Sequence, residues 1–367
     1  MTQPDHAAAP PTDDEAREPD FSCLASEGFH TLLKTLGISL VLTSYQANRV
    51  ILVRAGEDQL NISLKAFPRP MGLAVDSQRI VLGIHAQLID FRRFDAVAPD
   101  LEPVGQVDAC FVPRSTHITG MINVHDIAWG DAGLWVTNSA FSCLSLIRPD
   151  SSFVPMWKPP FISALVNEDR CHLNGLAMRD GQPRYVTMFS DHDDASYWRK
   201  ERTPVGRLMD IEGDRILVEG LLMPHSPRWW QNHVYYCNSG HGTLCRIDPE
   251  SGAHEDLLTL PGFTRGMAFH GPLMFLGTSR SRRSTAAAQL PLNASHPETV
   301  AGLYVIDIER GEILERLEFT GDVNQIYDVG VIHGPTFPDL LHIDDELVSS
   351  IFEFPSLGSQ TPTEVAT

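Results

Sequence analysis

Six stretches of this chain repeat one short theme: a polar residue, a small or apolar pair, a turn, then a second strand-like run. They are RPMGLAVDSQRIVLGI from 69, NVHDIAWGDAGLWVTN from 123, HLNGLAMRDGQPRYVTMF from 172, PHSPRWWQNHVYYCNSG from 224, FTRGMAFHGPLMFLGTS from 263 and IYDVGVIHG from 326. Their starts lie 39 to 63 residues apart. A strand-rich unit of about this length cannot bury its apolar faces alone, and radial stacking of such units gives a β-propeller. No repeat carries a helical period, which excludes a helical solenoid. No linker-like shift in composition interrupts the series, so one domain is expected across 21–353, with tails at 1–20 and 354–367.

Strand bookkeeping sets the blade number. The stretch from 326 supplies a first strand with little strand pattern after it. SLVLTSYQ, RVILVRAG and LNISLKAF, within 39–66, supply three strands with no first one. Joined, the two chain ends make one blade, which closes the ring and removes open sheet edges. The expectation is all-β, a six-bladed propeller, with seven blades as the alternative if 339–353 forms strands of its own. Ahead of the ring, LASEGFHTLLKTL (24–36) places Leu24, Phe29, Leu32, Leu33 and Leu36 on one helical face, with Gly37 as a stop.

Charge excludes one class of partner. With 28 Lys+Arg against 47 Asp+Glu the formal net charge is −19, and nucleic-acid phosphates would be repelled without a basic face. The cluster Arg280, Arg282, Arg283 is too short to supply one. No apolar run is long enough to span a bilayer, and the acidic, Pro/Ala-rich start is unlike a signal peptide, so a cytoplasmic protein is expected. The six cysteines are scattered with no CxxC pair, which suits buried reduced thiols.

The innermost strand of each blade runs along the channel. Aligning the copies on their small-apolar pair gives the column Met71, His125, Asn174, Ser226, Arg265, Asp328, preceded by Arg69, Asn123, His172, Pro224, Phe263, Ile326. Imidazoles, guanidiniums and carboxylates at equivalent positions point to a ligand site on the axis. His125 and His172 with Asp328 form a candidate ligand set for a divalent transition metal, iron or zinc rather than calcium, with Asp126 or His225 as further candidates. Arg69 and Arg265 would face an anion, because a guanidinium fork pairs with carboxylate or phosphate at two points. Asn174, Ser226, Arg170 and Arg228 complete the expected substrate contacts, and His225, Asp126 and Arg265 the expected catalytic groups.

Other features are weaker. Glu168-Asp169-Arg170 reads equally as a local ion pair or as a rim that orients His172. His225 beside Ser226 is no dyad, since neighbours on a strand point to opposite faces. Cys237, His241 and Cys245 read as buried thiols and a surface histidine. Trp129, Trp135, Trp229 and Trp230 read as blade core. Three functions follow: a metal-dependent enzyme acting on a small anionic metabolite or a peptide or sugar intermediate; a non-catalytic propeller binding a protein on one face; and a metal-free acid–base enzyme using His225 or His125 with Arg265.

The blocks FSCLASEGF, RPMGLAV, HDIAWG, LWVTNSAFSCLSL, WKPPFISALVNEDRCHLNGLAM, GLLMPHSPRWW, LPGFTRGMAF and IYDVGV resemble a bacterial family of conserved hypothetical proteins of unknown function. The resemblance covers residues 21 to 335. It implies a propeller-like fold and an acidic residue after His125, a place Asp126 fills, and it transfers no activity. In architecture alone the chain is also similar to the gluconolactonase, paraoxonase and strictosidine synthase propellers, most of which hold an axial metal.

Overall fold

A computed structural model describes residues 18–199, 205–281 and 290–354. Six antiparallel sheets are arranged around an axis as a six-bladed β-propeller. From the axis outward, blade 1 is Leu73–Val75, Arg79–Ile84, Gln87–Arg93 and Ala109–Ile118. Blade 2 runs from Val124–Gly130 to Val154–Trp157, and blade 3 from Leu173–Arg179 to Arg215–Leu221. Blade 4 runs from Pro224–Trp230 to His254–Thr259, and blade 5 from Phe263–His270 to Glu312–Phe319. Blade 6 takes its innermost strand, Asp328–His333, from late in the chain and its other three, Ile38–Ser44, Arg49–Ala55 and Leu60–Ala66, from early in it. The ring therefore closes as the strand bookkeeping requires.

The seven-bladed alternative fails because 339–353 builds no sheet. Pro338–Leu340 adds in parallel to the outer strand of blade 1, opposite Ala109–Phe111. The segment beyond covers that edge and buries Leu341 and Ile351 against Ala98, Leu101 and Val112. The leading helix is shorter than 24–36. It spans Phe29–Leu36 and ends at Gly37, whose left-handed φ of 63° lets its amide turn back to the Leu33 and Lys34 carbonyls. Cys23–Ala25 is instead a fifth strand on the outer edge of blade 5, paired with Leu317–Phe319.

Each gap between blades is filled by its own apolar cluster, because each sheet is buried on both faces. Blades 1 and 2 meet through Ala74, Val81, Ile127 and Val136, and blades 2 and 3 through Trp135, Leu144, Leu176 and Val186. Tyr185 and Tyr236 lie between blades 3 and 4, and Tyr235, Met267 and Leu276 between 4 and 5. The helix residues Phe29 and Leu33 join Leu40, Phe275 and Leu303 between 5 and 6, and Val41, Leu52, Leu82 and Phe91 close 6 onto 1. Trp229 stacks on Tyr185 and Trp230 on Phe269, as blade-core tryptophans do. All six cysteines are free thiols. Among the described residues no helix is long and apolar enough to cross a membrane. The expected tails, 1–20 and 354–367, lie almost wholly outside the described residues.

Candidate functional site

Most innermost strands begin with a β-bulge, where two residues face one on the neighbouring strand. Matching the blades by this register puts Met71, His125, Asn174, His225, Arg265 and Tyr327 at one level. Gly72, Asp126, Gly175, Ser226, Gly266 and Asp328 lie one residue further along. The sequence column mixed the two levels, being one residue late at Ser226 and Asp328. The residues that lead into the strands, Arg69, Asn123, His172 and Met223, all have left-handed φ of 49–52°. That conformation is costly for a side chain with a Cβ and persists only where the surroundings fix it.

The upper level carries two matching imidazoles. Nδ1 of His125 lies 2.9 Å from the Asn123 carbonyl and 2.7 Å from Oγ of Ser139. Nδ1 of His225 lies 3.0 Å from the Met223 carbonyl and 2.9 Å from Oγ of Ser239. The serine hydroxyls donate onward to carbonyls of the next blade, Leu173 and Thr264. A carbonyl only accepts, so each Nδ1 carries the hydrogen, and Nε2 is left with its lone pair. Both rings titrate well below the ordinary histidine range, through burial first, then the charges of His172 and Arg265 around His125 and of Arg265 around His225.

A third imidazole stands beside them. His172 lies edge-on to His125, ring centres 4.6 Å apart, with Trp198 at 4.0 Å and Phe189 at 4.5 Å. Its Nδ1 donates to the Asp169 carboxylate at 2.9 Å, and Asp169 also receives Arg199 at 3.5 Å. Phe189 and Phe263 flank His225. On the opposite side the Arg265 guanidinium lies 3.5 Å from the centre of the Tyr327 ring. Tyr45 meets Tyr327 edge-on, and Arg69 lies over Tyr45 at 5.9 Å. Together these groups form a cup of rings and imidazoles with arginine cations along one wall.

Beneath the cup the channel is plugged. Arg228 takes a position where the other blades have Ala74, Ala128, Ala177, Ala268 and Gly330, so its side chain has the axis to itself. It donates to Asp126 of blade 2 at 2.7 and 3.2 Å, and reaches Asp328 of blade 6 at 3.5 Å. Further bonds go to the Leu176 and Met267 carbonyls. The two carboxylates also tie blades together: Asp126 accepts the Leu176 amide at 3.0 Å and Asp328 the Leu73 amide at 2.9 Å. Burial, opposed by Arg228 and reinforced by Asp126, pushes the Asp328 carboxyl up to about 7.

The expected site residues thus fall into separate groups. His125, His172, His225 and Arg265 line the cup, with Arg69 on its rim. Asp126, Arg228 and Asp328 form the plug, where Asp126 and Arg228 are hydrogen-bonded to each other. Ser226 accepts the Gly266 amide at 2.9 Å and joins blade 4 to blade 5. Asn174 accepts the Thr187 hydroxyl at 2.7 Å through Oδ1. The 168–170 turn divides: Asp169 braces His172, while Arg170 is tied to Glu168 and Asp193, each at 2.8 Å. Arg280 bonds the Phe319 carbonyl and Asn324; Arg282 and Arg283 lie outside the described residues.

The expected metal set, His125, His172 and Asp328, is not gathered around one point. Among the described residues, the group of three whose ligand atoms lie within 4.8 Å of one another is Cys245, His254 and Asp256, in blade 4. Asp328 is turned instead to Arg228 and to the Leu73 and Val329 amides. Reading the sequence missed Ser139, Ser239, Phe189, Trp198 and Tyr327. For the serines a signal was present, since Asn138-Ser139 and Asn238-Ser239 stand at the same distance after His125 and His225.

A solved structure of a nidogen/laminin complex contains a chain similar to this one, with a TM-score of 0.49 and 11% identity over 82% of this chain and 100% of that one. No curated protein matches. The domain of unknown function DUF4915 matches residues 27–341, so the chain is a member of that family.

Proposed function

We propose that the cup is the site of a metal-independent acid–base reaction on a small anionic molecule with a flat or apolar part. His125 or His225 takes a proton at Nε2, and Arg265 carries the substrate's negative charge. The matched cradles of the two histidines support this reading. Each Nδ1–H is committed to a serine and a carbonyl, and neither Nε2 has a hydrogen-bond partner among the described residues. A neutral imidazole with a free lone pair is a general base at neutral pH. The Arg265 charge depresses both rings. A bound anion would offset that charge and raise their basicity when substrate is present. Phe189, Trp198 and Phe263 offer the apolar wall, and the Arg228 plug restricts approach to the mouth of the cup.

Axial iron or zinc has less support, because Asp328 is committed to the plug. The test is thermal denaturation of chelator-treated protein against small mono- and dicarboxylates, sugar acids and phosphate monoesters. At least one compound is expected to raise the Tm of the wild type and not of Arg265→Met. Turnover of that compound is then lost in the double variant His125→Gln/His225→Gln, which still binds it. A panel without effect, stabilisation that survives Arg265→Met, or binding that requires added iron or zinc would overturn the reading.

A further inference from the structure

We propose that blade 4 carries a second site, remote from the cup, which binds a divalent transition cation of the zinc type through Cys245, His254 and Asp256. One ligand atom from each lies within 4.8 Å of the others, and the sheet register produces that convergence. Cys245 lies in the third strand, Thr243–Ile247, directly opposite Asp256 in the outermost strand, His254–Thr259. His254 is two residues before Asp256, so the two share a face of that strand. A bulge between Leu244 and Cys245 shifts the register where the thiol is presented.

The donor set selects the ligand class. Thiolate, imidazole and carboxylate together suit a borderline-soft cation such as zinc, whereas magnesium and calcium take oxygen donors. The thiol donates to Asp256 Oδ1 at 3.1 Å. Burial and the neighbouring carboxylate hold it protonated, raised well above an ordinary thiol. When the cation binds, the S–H bond breaks, the proton goes to solvent, and the sulfur pair forms the metal–sulfur bond. Tyr236 in the adjacent strand stacks on the His254 ring at 5.9 Å, and its hydroxyl meets Nε2, a support of the kind that orients metal-ligating histidines. Cys245 is buried while His254 and Asp256 are exposed, so a cation held there faces solvent on one side and can complete a tetrahedron with water.

Cobalt(II) is the probe, since a cobalt–thiolate bond gives a near-ultraviolet charge-transfer band that imidazole and carboxylate do not. Chelator-treated full chain titrated with cobalt is expected to develop this band, saturating at one equivalent and bleached by zinc. The band is lost in Cys245→Ser. Affinity falls about tenfold or more in His254→Ala and in Asp256→Asn, exposed positions where folding is least at risk. The double variant His125→Gln/His225→Gln keeps the band, which separates this site from the cup. Absence of a thiolate band in the wild type, or a band that survives Cys245→Ser, would overturn the proposal and leave a hydrogen-bonded strand pair.

Discussion

The Arg228 guanidinium and the Asp126 carboxylate, carried by blades two apart in the ring, meet through two hydrogen bonds of 2.7 and 3.2 Å in the channel. Blades 2, 4 and 6 alternate around the axis, and Asp328 completes the group at 3.5 Å. Removing the cation alone leaves two buried carboxylates facing each other. Arg228→Met is expected to destabilise the fold by about 3–5 kcal/mol in urea unfolding. Adding Asp126→Asn and Asp328→Asn should recover part of that loss. An effect under about 1 kcal/mol would show that the plug is not what ties the blades.

The pH dependence of stability carries the signatures of the cup and the plug with opposite signs. His125 and His225 resist protonation when folded, whereas the unfolded chain takes up those protons below about 6.5. Their contribution is full above that pH and is lost as the pH falls through it. Asp328, raised to about 7, holds a proton that the unfolded chain releases above about 3.9. Its contribution is present in acid and is lost as the pH rises through 7. Between pH 4 and 6.5 the two histidines outweigh the one carboxyl, and these groups together make acid destabilising. Asp328→Asn should steepen the loss and His225→Gln should flatten it, by about 1.4 kcal/mol per pH unit for each proton. Unfolding midpoints across a pH series read both slopes.

The tautomers of the two cup histidines are a direct prediction. Nitrogen-15 NMR of the folded protein at pH 7 should show Nδ1 protonated and Nε2 bare for both rings, with those signals missing in His125→Gln and His225→Gln. Ser139→Ala and Ser239→Ala each remove the donor to a buried carbonyl, of Leu173 and Thr264 respectively. Each should cost about 1–3 kcal/mol. Protonated Nε2 in both rings would remove the proposed base.

Blade 3 has Gly175 where blades 2 and 6 have Asp126 and Asp328. A Cβ at Gly175 would lie 2.3 Å from Cδ of Pro227 and 2.4 Å from Oγ1 of Thr187. Gly175→Ala should therefore destabilise the fold by about 1–3 kcal/mol through overpacking, measured as a lowered Tm.

Gly175 also shows why the fold was easier to read than the site. Repeat spacing, and the match between a lone late strand and three early ones, give six blades because closure is a property of whole strands. The site depends on single residues. An alignment anchored on small-apolar pairs sets Trp229 against Ala128, whereas the register sets Arg228 there, because an arginine facing the channel breaks the small-residue pattern. That one-residue slip set His125 beside Ser226 and Asp328 instead of His225 and Tyr327, and a slip of one exchanges the positions delivered to the cup for those delivered to the plug. His172 with Asp169 was legible because both lie in one short turn. Trp198 and Phe189 were not, since they reach the cup from the segment that follows Gln182–Met188, which carries no repeat pattern.

Blade 6 draws its channel-side strand from one end of the fold and its outer strands from the other. Asp328 stands at the head of that strand. The last hydrogen-bonded seam of the ring and the last carboxylate facing Arg228 are therefore delivered together. A growing chain that has reached Arg310 already contains every histidine of the cup, but it has neither a closed circle nor a balanced charge at its centre. Both arrive with the same few residues.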